Sequence, residues 1–289
     1  MLSGPVAVVG AGTIGRSWIE VFVRAGLEVR VHDPLVAIGD DRVRACDSLA
    51  GAVAGAVWIQ ESVPEDRALK RTAFAELDRL APADAILGSS ASAIAMTEIA
   101  TGLERPERCV VVHPTNPPHL VPLVEIVPGE LTSEATVERA VSFMRELGQE
   151  PIVCRKEIFG FVLNRLQFAL VREALFLLRE GVASVGDIDR CVTSGLALRW
   201  AFLGPFAVEE SNAASIEDDL RKFREPIREL FARLCSTLDG PTEDDIELAS
   251  AGCAAMLDGI SHDRLTAYRD EMIVRLRELK AAHPLGAAA

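Results

Sequence analysis

The sequence lacks any dense run of lysine or arginine, and its formal net charge is −13 at pH 7. That balance argues against nucleic acid as a partner. It also lacks an apolar stretch approaching the ~20 residues needed to span a bilayer, so no membrane segment is expected. The N-terminus has no basic region and enters an apolar run almost at once, which argues against a secretory signal. The six cysteines (46, 109, 154, 191, 235, 253) show neither a CxxC pair nor metal-type spacing. No metal site is therefore expected, and several lie in apolar surroundings as free thiols of a reducing compartment, which points to the cytoplasm. There is no internal repeat. What the chain does have is length and apolar content: 289 residues, 49% of them hydrophobic, enough for two domains with ample core.

The most informative stretch is the first. Pro5 to Val9 is a short apolar run, followed directly by Gly10-Ala11-Gly12-Thr13-Ile14-Gly15 and by a helical pattern through Trp18, Ile19, Val21 and Phe22. A second apolar run, Leu27 to Val31, ends in His32-Asp33. Strand, glycine turn, helix, strand and acid form the dinucleotide-binding fingerprint in its proper context. Gly10 serves the tight turn, Gly12 the close approach of a pyrophosphate, and Gly15 the packing of helix on sheet. Thr13 and Ile14, at the helix start, join them as candidate cofactor contacts beside the exposed N–H groups that attract phosphate. The Asp33 carboxylate accepts hydrogen bonds from a ribose and repels a 2′-phosphate, which favours NAD over NADP.

Downstream, Asp40 to Ala54 fits one modest helix, Ala56 to Gln60 a strand, and Arg67 to Leu80 a helix with Leu69, Ala73, Leu77 and Leu80 on one face. Strands follow at Ala85 to Ser89, Cys109 to Val112, Pro122 to Val127 and Ile152 to Cys154, with helices at Thr97 to Ala100 and Ser133 to Leu147. This alternation predicts an α/β fold: an N-terminal Rossmann-type, doubly wound parallel sheet over residues 1–157. From about residue 158 to 289 no strand pattern recurs, and an all-α C-terminal domain is expected. Phe161 to Arg179 reads as a long, apolar, buried helix at a domain or subunit junction. Gly195 to Phe206 reads as a loop, Ile216 to Cys235 and Glu243 to Leu257 as helices, and the alanine-rich tail after His283 as frayed.

In open α/β sheets ligands bind beyond the carboxyl ends of the strands. Those ends here carry Glu61, the serines Ser89, Ser90 and Ser92, and His113. His113 is the candidate acid–base residue, and Glu125, inside the apolar Pro-Leu-Val-Glu-Ile-Val, is a candidate partner for its second ring nitrogen. A buried carboxylate needs some such partner. The residue types leave a structural, hydrogen-bonded histidine as the alternative. Ser92 reads equally as a helix cap, Asn164 as a cap at the domain junction and Asn116 as a turn residue.

Several ordered motifs narrow these alternatives. They are Gly15-Arg16-Ser17-Trp18, Trp58-Ile59-Gln60-Glu61-Ser62-Val63-Pro64-Glu65-Asp66 and His113-Pro114-Thr115-Asn116-Pro117-Pro118. Pro122-Leu123-Val124-Glu125, Gly160-Phe161-Val162-Leu163-Asn164-Arg165-Leu166-Gln167 and Arg199-Trp200-Ala201-Phe202-Leu203-Gly204-Pro205 complete the set. Over nearly its whole length the chain resembles the 3-hydroxyacyl-CoA dehydrogenase superfamily, most closely its λ-crystallin/L-gulonate 3-dehydrogenase branch. The resemblance implies that His113 is the base and Glu125 its partner. It implies that Ser92 and Asn164 surround the reacting hydroxyl, that Asn116 lies beside nicotinamide and substrate, and that Glu61 lies near the nicotinamide ribose. Ser90 is counted with the cofactor contacts.

Two departures stand out. The hydroxyacyl-CoA enzymes carry a long helical insertion between the second and third strands, and Asp33 to Ala56 leaves no room for it. A small free hydroxy acid is therefore expected rather than a CoA thioester. The family's Gly-x-Gly before the arginine is here Gly195-Leu196-Ala197. Arg199 is a candidate for the substrate carboxylate, since a guanidinium forks onto it, with a salt bridge as the alternative.

Together these readings predict an NAD-dependent homodimeric dehydrogenase of a small 3-hydroxy acid, with L-gulonate the leading substrate. The alternatives are L-carnitine, another short 3-hydroxy acid or hydroxylated ring acid, a 3-hydroxyacyl-CoA, or a catalytically silent λ-crystallin-like NAD-binding protein. A cationic trimethylammonium substrate wants an aromatic cage, for which three tryptophans and one tyrosine offer few members.

Overall fold

Valine-rich runs such as Val6-Ala7-Val8-Val9 bury both faces of a strand, and that is the signature of a parallel sheet covered on both sides. The computed structural model of the chain describes residues 4–234, 238 and 240–284. Eight strands form one sheet: β1 (Val6–Val9), β2 (Val29–His32), β3 (Arg44–Ala45), β4 (Trp58–Glu61), β5 (Ile86–Ser89), β6 (Cys109–Pro114), β7 (Leu123–Pro128) and β8 (Glu150–Val153). Their order is β3-β2-β1-β4-β5-β6-β7-β8, and every neighbouring pair is parallel except β6 with β7. The chain leaves β1 towards β2 on one side and returns to β4 on the other, so β1 and β4 border the switch point where such sheets bind ligands.

Alternation along the strands sorts the core into two layers. Val6, Val8, Trp58, Ile86 and Val112 pack under α1 (Thr13–Arg24) and, later in the chain, α5 (Glu134–Glu146), through Trp18, Phe22 and Phe143. Ala7, Val9, Ile59, Leu87 and Val111 pack on the opposite face with α2 (Leu49–Val53), α3 (Arg67–Leu80) and α4 (Met96–Ile99), through Val53, Phe74, Leu77 and Ile99.

Two expectations for this part are corrected. Residues 40–54 are not one helix: Arg44–Ala45 pair with β2, and helix starts only at Leu49, where the Ser48 hydroxyl accepts from the Gly51 amide at 3.2 Å. The inward face of α3 carries Lys70, Phe74, Leu77 and Asp78, while Leu69 and Leu80 are exposed.

The chain divides into two compact units, Met1–Arg165 and Leu166–Ala289. The sequence reading put the boundary at 157/158; the division falls inside α6 (Leu163–Arg179). The second unit continues with α7 (Val185–Cys191), a π turn (Val192–Leu196), α8 (Ala197–Trp200), α9 (Pro205–Asn212), α10 (Ile216–Lys222), α11 (Arg224–Arg233), α12 (Glu243–Met256) and α13 (His262–Ala282). Three differences from expectation occur here. No residue of α6 is buried, and Leu166 and Phe168 are exposed. Residues 195–206 are mostly helical rather than a loop, because Gly195 continues the π turn and Pro205 opens α9 at a position where its missing N–H costs nothing. The helix expected over 216–235 is broken at Phe223. Cys235 and the tail 285–289 lie outside the described residues. Among the described residues no single helix is long and apolar enough to cross a membrane.

Candidate active site

Gly10 takes a φ of +95°, and a Cβ there would stand 2.6 Å from the Ser62 carbonyl oxygen, so the turn off β1 admits only glycine. A Cβ at Gly15 would overlap the Gly10 carbonyl oxygen. At Gly12, by contrast, a Cβ would meet no protein atom within 4 Å. Its missing side chain leaves open space rather than serving the packing. That space belongs to a cavity of about 510 Å³ lined by Gly10, Gly12, Thr13, Ile14 and Asp33 on one side and Ser62, Glu65, Ser90 and Ser92 on another. The first turn of α1 has no side-chain cap and no acidic residue. Its amides and the positive end of its dipole therefore face the cavity unmet, as a diphosphate requires.

Asp33, expected at the ribose end, lines the cavity and holds backbone amides. Its Oδ2 accepts from the Ala11 amide at 2.7 Å, and its Oδ1 from the amides of Leu35 and Val36 at 2.8 and 2.9 Å. Burial works to raise its carboxyl, but these three bonds and the nearby His32 outweigh it and hold it below the ordinary 3.8. The acid expected to discriminate against a 2′-phosphate thus also braces the glycine turn.

Glu61 is corrected. Its side chain is fully buried and points away from the cavity, into the layer under α3. There Oε1 accepts from Lys70 Nζ at 2.9 Å and from the Val63 amide at 2.7 Å, while Oε2 accepts from the Ser89 hydroxyl. Alternation along β4 is the cause: Gln60 faces α1, so its neighbour must face α3. The acid that lines the cavity from this segment is Glu65, which the sequence reading passed over. Its Oε1 accepts from the amides of Ser92 and Ala93 at 2.8 and 3.0 Å, and its Oε2 lies 3.5 Å from Lys70 Nζ. Lys70 was also missed, although a carboxylate expected in an apolar strand end demands a cation, and Lys70 stands one helical turn before Phe74.

His113 and Glu125 are directly opposed across the antiparallel β6–β7 pair. The ring Nδ1 lies 2.7 Å from Glu125 Oε2, with both side chains buried. The other carboxylate oxygen accepts from the amides of Val162 and Leu163, at 2.8 and 3.0 Å, where α6 begins. Cys154 Sγ lies 3.8 Å from the same oxygen. Burial pushes the Glu125 carboxyl up, but the bonds from His113, Leu163 and Val162 outweigh it and hold it below the ordinary 4.5. An ionised Glu125 has no proton to give, so Nδ1 is the donor in that bond, and in the neutral imidazole Nε2 then keeps its lone pair. Phe161, buried and with a φ of +48°, packs edge-on against the imidazole at 5.4 Å between centroids.

The remaining candidates fall into place unevenly. Ser92 lines the cavity, and its carbonyl accepts from Asn164 Nδ2 at 3.2 Å. It is not the cap of α4, whose first turn is preceded by Ala95. Asn164 follows Leu163, the residue whose amide holds Glu125, so the cavity edge and the His113–Glu125 pair are joined through the start of α6. Ser90 lines the cavity but turns its hydroxyl into the interior, towards Trp18 and Gln60. Asn116 is exposed in the loop beyond β6. Arg199 belongs to the second unit, on α8 rather than on the loop expected there.

Residues 5–158 match the family model of the 3-hydroxyacyl-CoA dehydrogenase NAD-binding domain in two overlapping segments, 5–39 and 35–158. Residues 160–214 match the C-terminal domain model of the same family. A λ-crystallin homolog from Bos taurus is 37% identical, over 97% of this chain and 97% of its own length. An L-carnitine dehydrogenase from Oceanobacillus iheyensis is also 37% identical, over 95% of this chain and 97% of its own length. Among solved structures, a 5-formyl-3-hydroxy-2-methylpyridine 4-carboxylic acid 5-dehydrogenase, an NAD+-dependent dismutase, superposes with a TM-score of 0.81 at 29% identity, covering 95% of this chain and 97% of that one.

Proposed function

Since the chain belongs to the 3-hydroxyacyl-CoA dehydrogenase family and binds NAD, we propose that it oxidises a small free 3-hydroxy acid to the 3-keto acid, L-gulonate being the leading substrate. The observation that carries the reading is the buried His113–Glu125 pair, with its lone pair at Nε2. NAD, when bound, accepts the hydride that leaves the substrate carbon. His113 Nε2 takes the hydroxyl proton, and the imidazolium so formed is stabilised by Glu125, whose own charge is fixed by the amides of Val162 and Leu163. Ser92 and Asn164 orient the hydroxyl, Asn116 borders the nicotinamide and substrate, and Arg199 pairs with the substrate carboxylate by the fork geometry of its guanidinium. The preference for a free acid is supported by the short connection between β2 and β4, which holds only β3 and the five-residue α2.

L-carnitine is the second reading, favoured by the dehydrogenases that are named for it. Against it, Trp18 and Trp58 are fully buried in the core, which removes two of the few residues able to cage a trimethylammonium group. The deciding experiment follows NADH formation over L-gulonate, L-carnitine, 3-hydroxybutyrate and 3-hydroxybutyryl-CoA, with His113→Ala and Arg199→Met alongside. One free acid should turn over, the first variant should abolish it, and the second should raise KM for the acid but not for NAD. Preference for the thioester would overturn the free-acid reading; NADH binding without turnover on any of them would favour a silent protein.

The protein is further proposed to be a homodimer. Among the described residues of the second unit only Val208, Asp219 and Asp245 are buried, while Phe206 and Phe231 are 77% and 69% exposed. A helical unit of that length normally encloses a core, and a second copy would supply the missing cover. Light scattering should give twice the 31.1 kDa chain mass; a monomer across the accessible concentration range would overturn this.

A further inference from the structure

Trp18, Trp58 and Gln60 stand in two of the ordered sequence motifs, yet neither the glycine turn nor the His113–Glu125 pair uses them. They form a closed polar network beneath the cavity, and its proton directions can be counted. Trp58 Nε1 can only donate, and it meets Gln60 Oε1 at 3.1 Å, which fixes the orientation of that amide. Gln60 Nε2 therefore donates to Ser90 Oγ, at 2.9 Å. Trp18 Nε1 donates to the same oxygen at 3.2 Å. A hydroxyl oxygen has two lone pairs, and both are now taken. The Ser90 proton must go to its remaining neighbour, Ser62 Oγ, 2.9 Å away. Ser62 thus accepts from the interior, and its own O–H is directed outward.

Outward is the cavity. Ser62 is half-buried and lines it. Its carbonyl is the oxygen that a Gly10 Cβ would strike, and its Cβ lies 3.5 Å from where a Gly15 Cβ would stand. The hydroxyl therefore sits against the glycine turn, beside the uncapped start of α1. We propose that Ser62 donates its hydroxyl proton to a diphosphate oxygen of NAD, and that Trp18, Trp58 and Gln60 are positioning residues that fix the direction of that bond from below. This rests on the cavity being the NAD site.

Calorimetric titration of the wild-type chain and of Ser62→Ala with NADH, ADP-ribose and ADP tests the assignment. Loss of a hydrogen bond to a charged oxygen should weaken all three by about tenfold. Unchanged affinities would overturn the proposal, while loss confined to NADH and ADP-ribose would place the hydroxyl on the second ribose and overturn the diphosphate assignment. Failure of the wild-type chain to bind NADH would sink the cofactor reading and this assignment with it. The positioning role has its own readout. Trp18→Phe frees a lone pair on Ser90, so that Ser62 can turn its proton inward. ADP affinity should then fall several-fold in the wild-type background and not at all in Ser62→Ala. Equal losses in both backgrounds would mean that Trp18 acts only through packing, and would overturn the relay.

Discussion

Glu125→Gln should lower kcat by about 10³- to 10⁴-fold while leaving NADH affinity within about twofold. The geometry makes this variant unusually informative. Two amides, from Val162 and Leu163, hold one oxygen of the side chain and require an acceptor there. Glutamine satisfies them with its carbonyl oxygen, which turns its NH2 group towards His113 Nδ1. The imidazole must then accept at Nδ1 and carry its proton on Nε2, the atom that has to receive the substrate's proton. Shape and packing survive, and the base is lost. His113→Ala should cost a similar factor, and the double variant no more than His113→Ala alone, because the two residues act as one unit. A kcat within tenfold of wild type would overturn the assignment of the pair. The same carboxylate leaves a mark on stability. Its folded pKa lies below the ordinary 4.5, so its contribution is complete above that value and is lost as pH falls through the folded one. Thermal melts at acid pH should show this loss in the wild type and not in Glu125→Gln.

The pair was legible in the sequence for a physical reason. A carboxylate inside an apolar strand needs a partner, and His113 ends the strand before it; the structure makes them direct partners across an antiparallel β6–β7 pair, where the sequence reading expected a parallel sheet. The glycine turn was legible because its constraints are backbone constraints, fixed by the absence of a Cβ. What stayed hidden depends on side-chain direction or on charge in the core. Glu61 was placed towards the ribose, but the period of two along β4 sends it to α3 instead. The inward face of α3 was misread because a search for apolar residues passes over Lys70 and Asp78, each buried against an opposite charge. The second unit was misread where glycine and proline were taken as breakers, although Gly195 and Pro205 occupy positions that helices tolerate. The apolar length of α6 was visible, but not whether its own chain covers it.

The hidden pair yields the other large effect. Lys70→Met should destabilise the first unit by about 3–5 kcal/mol, because it leaves the Glu61 charge buried without its cation. Lys70 Nζ has three oxygen neighbours: Glu61 at 2.9 Å, the Val63 carbonyl at 3.2 Å and Glu65 at 3.5 Å. Methionine keeps the length and removes all three contacts. Already in the wild-type protein burial pushes the Glu61 carboxyl above the ordinary 4.5, with Lys70, Ser89 and the Val63 amide pulling back. Without Lys70 the upward push is less opposed. A carboxyl raised in the folded state holds its proton there at pH values where the unfolded chain has released it, so stability falls as pH rises between the two values. The melting temperature of Lys70→Met should therefore drop most at neutral pH and recover part of the loss near pH ~5. Adding Glu61→Gln should restore most of the stability at neutral pH, since the amide's oxygen still accepts from the Val63 amide while its NH2 group donates to the Ser89 hydroxyl oxygen, without the charge. An equal drop at both pH values, or a double variant no better than the single, would mean that Lys70 acts through its packing rather than through the Glu61 charge.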